Sequence, residues 1–248
     1  MEWSDDGVIL ATRRHGETSV IVEALTNRHG RHLGIVRGGR SRRLQGVLQP
    51  GNRVRLVWRA RLEDHLGTYQ VEPLEERAMD LIASRTALAG FMTIAAHARL
   101  LPERDPNPDL GELFAATHDL LAGEGAGLAV ALFERDMLSA LGFGLDLDSC
   151  AATGSRSDLI YVSPRSGRAV SAQAGAPYAE RLFPLPAILR EDGCAPGPGT
   201  SRQALGDAFC ITGHFLARHV WGPRAIAPPA ERDRFIALVC QDSSITDS

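Results

Sequence analysis

The chain has 248 residues, 44% hydrophobic and 23% charged, a length for one large domain or two small ones and a balance ordinary for a soluble globular protein. No apolar run approaches the roughly 20 residues of a membrane helix, and Met1 to Asp6 is acidic and polar, so neither a transmembrane span nor a secretory signal is expected and a cytoplasmic location is. The formal net charge of −3 would, taken over the whole chain, argue against a nucleic-acid partner.

The first 75 or so residues read as strands. Val8 to Arg14, Ser19 to Leu25, Arg31 to Arg37, Arg53 to Leu62 and Thr68 to Val71 are short, rich in β-branched residues and separated by polar or glycine breaks. Five such strands suggest a small closed barrel of the OB type. The fourth is the clearest, because Val54, Leu56, Trp58, Ala60 and Leu62 alternate with Arg53, Arg55, Val57, Arg59 and Arg61. One face reads as core and the other as almost all arginine.

From Glu76 the period becomes helical, through Leu81, Leu88, Met92 and Ala95, to about Leu101. Pro102, Pro106 and Pro108 then make a loop, and Asp109 is a plausible N-cap for a helix holding Leu110, Leu113, Phe114, His118 and Leu121. A third helix is expected over Leu128 to Leu141. After Gly142 comes an irregular insert, about Asp146 to Gly199, with one hairpin around Leu159 to Val162 and Arg168 to Ser171. Two more helices, Ser201 to Val220 and Ala230 to Cys240, precede a polar tail expected to be disordered.

Charge is distributed very unevenly. Between Ala24 and Leu62 there is no Asp or Glu, yet Arg28, Arg31, Arg37, Arg40, Arg42, Arg43, Arg53, Arg55, Arg59 and Arg61 all fall there. The sequence contains no lysine, so every fixed side-chain cation is a planar, permanently protonated guanidinium. Alternate residues of a strand face stand roughly 6.5 to 7 Å apart, the order of the phosphate spacing of an extended strand, and guanidinium binds phosphate bidentately. The loop Arg37-Gly38-Gly39-Arg40-Ser41-Arg42-Arg43 extends the ladder, with paired glycines that would let backbone N–H groups approach an anion. Trp58 falls on the core face, leaving Trp3 and Tyr69 as the nearby stacking candidates, and His15, His29 and His32 belong with the basic surface. Sequence-independent, salt-sensitive backbone binding is expected. The opposing interpretation is a solvated face whose arginines pair with Glu63, Asp64, Glu72 and the acidic helical part.

No catalytic signature is present: no Walker-type loop, no H-E-x-x-H, no G-x-S-x-G. The Asp146-x-Asp148 pair reads as a turn or capping feature, and Cys210 with His214, four apart on a helix, reads as a core-facing pair. Cys150, Cys194, Cys210 and Cys240 are scattered and expected as free thiols.

Several segments in order carry a resemblance: Gly7-Val8-Ile9-Leu10, Arg14-His15-Gly16-Glu17-Thr18-Ser19, Leu25-Thr26-Asn27-Arg28-His29-Gly30, Arg37-Gly38-Gly39-Arg40 and Leu48-Gln49-Pro50-Gly51. With them go Phe133-Glu134, Leu138, Leu141, Gly142, Phe143, Asp148 and Cys150-Ala151-Ala152-Thr153-Gly154. Over nearly its whole length the chain resembles the bacterial RecO family of recombination mediators. The resemblance implies an α+β protein with a five-stranded OB-fold barrel over 1–76 and a helical domain over 77–248 that carries a zinc-finger-like insert at about 146–199. It implies a non-enzymatic repair protein that binds single- and double-stranded DNA, anneals complementary strands, associates with RecR and the acidic tail of single-stranded-DNA-binding protein, and helps load RecA at the nucleoid. Family members with zinc carry two C-x-x-C pairs, whereas here the positions read Cys150, Thr153 and, nearby, Ser171 and Ala174. One thiolate cannot hold tetrahedral zinc, so no metal or other cofactor is expected, and apolar packing through Tyr161, Val162, Val170 and Tyr178 is expected instead. Cys194 lies too far along to substitute.

The DNA-binding set drawn from these residues is Arg37, Arg40, Arg42, Arg43, Arg53, Arg55, Arg59 and Arg61, with Arg31 weaker and Arg99, Arg135, Arg218 and Arg224 as further surface candidates. The residues leave two other readings open, an adaptor whose arginine patch docks an acidic protein tail and an RNA-binding OB module.

Overall fold

Alternating apolar side chains close the N-terminal strands on themselves. Strands β1 (Glu2–His15), β2 (Ser19–Thr26), β3 (Gly30–Val36), β4 (Arg53–Arg59) and β5 (Thr68–Glu75) form a closed barrel in the order β1-β2-β3-β5-β4, with β3 and β5 parallel and the other pairs antiparallel. This is the OB arrangement. The computed structural model describes residues 1–190 and 200–240, so Cys194 and the polar tail lie outside the described residues.

The barrel core gathers Ile9, Val22, Val54, Leu56, Trp58 and Tyr69, so the inward face of β4 is the one its alternation indicates. Two strands are longer than expected. Strand β1 starts at Glu2 because its first residues pair with the end of β4, and β5 runs on to Glu75 because it pairs with the start of β4. Between β3 and β4 lies a short helix that the sequence pattern does not indicate, α1 (Arg42–Val47), and it sends Val47 into the barrel core, with Leu48 just after it. Asn52 ties the neighbourhood together: its Nδ2 donates to the carbonyls of Gly46 and Val47 at 2.8 and 3.1 Å, and its Oδ1 accepts from the N–H of Ala78 at 2.9 Å.

The helical stretch expected from Glu76 to Leu101 is two helices, α2 (Ala78–Ala83) and α3 (Arg85–Ala98). Ser84 ends one and caps the other, holding an extended backbone while its hydroxyl accepts from the N–H of Ala87 at 3.2 Å. The buried face of α3 is Ala87, Phe91, Ile94, Ala95 and Ala98, and Leu88 and Met92 lie on its outer face. Helix α4 (Pro108–Leu120) is capped by Asn107, not Asp109: Pro108 takes the first helical position, which shifts the cap one residue before it. Asp109 sits in the first turn, where its charge complements the helix dipole.

By compactness the chain divides into Met1–Ala122 and Gly123–Ser248, so α2 to α4 belong with the barrel. The second unit holds α5 (Ala126–Ala140), a three-stranded sheet of β6 (Leu159–Val162), β7 (Ala169–Ser171) and β8 (Phe183–Pro184) in the order β7-β6-β8, and the short α6 (Ala172–Gly175). Helix α7 (Arg202–Leu216) continues into a wider π-type turn, Ala217–Trp221, and α8 (Ala230–Cys240) follows. The expected hairpin is thus present, and β8 adds a third strand to it.

Candidate nucleic-acid interface

The eight arginines of the expected grip fall into two environments. Those on β4 are answered by acids on the flanking strands. Arg55 donates to both carboxylate oxygens of Asp6 at 2.8 and 3.2 Å, Arg59 to Glu2 at 2.8 Å, and Arg53 to Glu75 at 3.2 Å. Each acid is its arginine's register neighbour on β1 or β5. The hydrogen bonds to Asp6 and Glu2, and then their charges, raise the pKa of Arg55 and Arg59 above the usual arginine value. The sequence offers Glu63, Asp64, Glu72 and the acidic helical part as ion-pair partners for this stripe. The acids that pair it are instead Glu2, Asp6 and Glu75, while Glu63 and Asp64 are exposed without an ion pair among the described residues.

The loop arginines are different. Arg37, Arg42, Arg43 and, beyond β4, Arg61 are exposed and have no ion-pair partner among the described residues. Arg40 is also exposed and is steadied by donating to the carbonyl of Glu17. That contact, with the N–H of Arg40 donating to the carbonyl of Thr18 at 3.1 Å, seats the loop against the β1–β2 turn. Arg13, Arg14 and His15, at the end of β1 in that same hairpin, are exposed and free of acids too. Sequence reasoning passed over Arg13 and Arg14 because Glu17 interrupts the acid-free run, and only the fold brings them to the loop.

Other expectations need correction. Part of the glycine loop's amide set is closed to an anion: the N–H of Gly39 donates to the carbonyl of Val36 at 3.3 Å and that of Ser41 to Gly38 at 3.0 Å. Tyr69 cannot stack on a base, being 4% exposed with its hydroxyl hydrogen-bonded to His32 Nδ1 at 3.0 Å. Trp3 is half-buried, with His29 stacked on it at 4.0 Å. His32 is buried and not part of the basic surface; burial first, and then the nearby charge of Arg104, hold its pKa down to about 4. Arg31 donates to Glu23 at 2.7 Å and to the carbonyl of Leu101 at 2.8 Å, and Arg99 meets the same Glu23 at 2.8 Å, so both are tied into the fold. In the second unit Arg135 is engaged by Asp136 and the carbonyl of Leu189, and Arg218 by the carbonyls of Pro164 and Arg165.

The degenerate insert is assembled around Cys150. The thiol is buried, its sulfur accepts from the N–H of Ser171 at 3.3 Å, Thr153 also hydrogen-bonds it, and Ala174 packs in the same cluster with Leu159, Val170, Tyr161, Leu182 and Leu185. The fold therefore gathers the four positions that a C-x-x-C pair of pairs would occupy, but with one thiol, two hydroxyl residues and an alanine. This donor set does not fit structural zinc. Tyr178, expected in this packing, is 60% exposed. Asp146 is ion-paired with Arg168 at 2.9 Å. Cys210 and His214 are not a core-facing pair: Cys210 is exposed, and His214 hydrogen-bonds the carbonyl of Pro164 at 3.0 Å. No described helix is long and apolar enough to cross a membrane.

Two family models match the chain, recombination protein O N terminal over residues 1–77 and recombination protein O C terminal over 84–225. A protein named DNA repair protein RecO from Chelativorans sp. (strain BNC1) is 57% identical over 244 residues, covering 98% of this chain and 97% of the relative. Those of Mesorhizobium japonicum and Methylobacterium nodulans are 56% and 55% identical, covering 96% and 98% of this chain and 94% and 100% of theirs. The chain belongs to the RecO family.

Proposed function

We propose that the chain is a recombinational DNA-repair mediator that holds the backbone of single- and double-stranded DNA without reading sequence. The grip is assigned to Arg37, Arg40, Arg42, Arg43, Arg53, Arg55, Arg59 and Arg61. The observation that carries this reading is the cluster of exposed guanidiniums free of acids in the loop before and within α1, seated against the β1–β2 hairpin with Arg13 and Arg14. The acid-paired Arg53, Arg55 and Arg59 join to the degree that phosphate displaces their carboxylates. A surface that holds phosphates and leaves base edges free permits complementary strands to pair on it, which is what annealing requires. Family membership supports association with RecR and with the acidic tail of single-stranded-DNA-binding protein, assistance in loading RecA, and work in the cytoplasm. None of these steps needs catalysis. We also place the barrel's functional boundary at 76/77, where β5 has ended.

The test is fluorescence anisotropy with single- and double-stranded oligonucleotides across a salt series, for wild type and for the Arg37→Ala, Arg40→Ala, Arg42→Ala, Arg43→Ala quadruple variant. The slope of log K against log salt counts neutralised phosphates. Binding of both forms with a steep slope, made shallower by about 3 for single strands in the folded variant, is the expected result. Equal binding by the variant overturns the assignment, and binding of an acidic peptide without any DNA binding would favour the adaptor instead.

A further inference from the structure

At the end of the barrel where β1 begins and β4 finishes, a cavity of about 270 Å³ opens to solvent, walled by Trp3, His29, His32, Trp58, Glu63 and Arg104. Its walls are flat rings, of which Trp3 and His29 are partly exposed and Trp58 and His32 are buried. Trp3 stacks on His29 at 4.0 Å and 9°, lies 5.7 Å from Trp58, and meets His32 and Tyr69 edge-on. Its rim is polar, with the Arg104 guanidinium 5.9 Å over the Trp58 ring and Glu63 exposed without an ion pair among the described residues.

Arg104 is brought there at a conformational cost. It follows α3, yet the chain turns back so that Glu103 bridges Arg31 and the N–H of Arg104 donates to the Arg31 carbonyl at 2.8 Å. Its own backbone has φ +61, a left-handed conformation that a side-chain-bearing residue rarely adopts and that recurs at ligand sites. The guanidinium is aimed by donating to the carbonyls of Glu63 and His65, the latter at 2.8 Å, while Nε, buried without a hydrogen bond, lies 3.5 Å from the Glu103 carboxylate.

Barrel mouths of this kind, apolar with a few converging polar groups, are where ligands sit. A cationic ligand would meet Arg104 already on the Trp58 ring, and a bare phosphate gains nothing from aromatic walls. A flat neutral ring with donors and acceptors on its edge suits both, since guanidinium donates to ring nitrogens and carbonyls and carboxylate accepts from exocyclic amines. We propose that this cavity binds one unstacked nucleobase of a single strand, at the opposite end of β1 from the basic hairpin. The proposal rests on the backbone-binding reading only for how the strand arrives.

The test compares an oligodeoxynucleotide with an abasic oligomer of equal length, together with tryptophan quenching by free deoxynucleoside monophosphates. Wild type should favour the base-bearing oligomer by about fivefold or more, as one stacked base contributes, and should show saturable quenching. Trp3→Ala should abolish both effects with the salt slope unchanged. So should Arg104→Gly, which tolerates the left-handed backbone and so keeps the fold. A base preference that is absent, or unaltered by both variants, overturns the pocket and leaves the backbone grip standing. If neither oligomer binds, the backbone reading fails, and the mononucleotides decide: quenching lost in Arg104→Gly retains the pocket, and no quenching refutes it.

Discussion

Asp6 and Arg55 are cross-strand partners on β1 and β4, and the guanidinium meets both carboxylate oxygens at 2.8 and 3.2 Å. Glu2 and Arg59 repeat the relation four residues along β4. The arginine stripe is therefore locally neutralised, which the run of arginines in the sequence does not reveal.

This gives a gain-of-function expectation. The Glu2→Gln, Asp6→Asn double variant should free Arg59 and Arg55 for phosphate, tightening single-strand binding severalfold and steepening the salt slope by about 1.4. Anisotropy across a salt series measures both. An unchanged slope would place the β4 face outside the DNA path.

Glu134 on α5 is fully buried and ion-paired with Arg232 on α8, whose Nε and Nη2 donate to the carboxylate at 2.7 and 2.9 Å while Thr212 donates at 2.6 Å. Gly213 makes room, since a Cβ there would stand 2.9 Å from the guanidinium. Arg232→Met should destabilise the protein by about 3–5 kcal/mol by leaving a buried carboxylate without its cation, and Glu134→Leu added to it should restore at least half. Urea denaturation of the single and double variants checks this. A double variant as unstable as the single would show that the pair does more than neutralise itself.

Two buried histidines set an acid limit. His118 has neither ring nitrogen hydrogen-bonded, and burial first, then the charge of Arg77, lowers its pKa from 6.5 to about 4; His32 is lowered to about 4 as well. Between those values the unfolded chain binds protons that the folded chain refuses, so stability is full above pH 6.5, falls as pH drops toward 4, and levels below it. For His118 the loss is worth up to roughly 3 kcal/mol at the acid limit. His118→Phe should remove that share of the pH dependence without loss of stability at pH 7. Chemical denaturation at pH 7, 5.5 and 4 tests it, and an equally pH-sensitive variant would assign the loss to other groups.

Gly30 has φ +63, and a Cβ there would stand 2.2 Å from the carbonyl oxygen of Asp105. Gly30→Ala should cost about 2 kcal/mol or more, because alanine disfavours the left-handed backbone and the clash pushes the Glu103–Pro106 segment off the barrel. Melting of the variant together with protease sensitivity near Arg104 reports it. Wild-type stability would mean the segment is not held through this contact.

The barrel was legible because its period-two alternation is local: Val54, Leu56 and Trp58 point inward wherever β4 pairs. Helix α8 was legible for a similar reason, its bounds lying within Ala230–Cys240. The family resemblance was likewise carried by short, ordered segments. Helix α1 was not, because six residues with three polar side chains and a glycine carry no period, and only burial of Val47 in the barrel fixes them as helix.

The sequence by itself determined the chemistry available: arginine as the sole fixed side-chain cation, an acid-free run that gathers ten of them, and one cysteine, Cys150, at the positions where the resemblance places two C-x-x-C pairs. Only the tertiary structure decided which arginines are free, because strand register brings Glu2, Asp6 and Glu75 from outside the run onto Arg59, Arg55 and Arg53. It likewise decided that His32 and Tyr69 are interior and that Arg13 and Arg14 join the basic loop. Pairing energy between charges depends on distance and burial, and neither is a property of position along the chain.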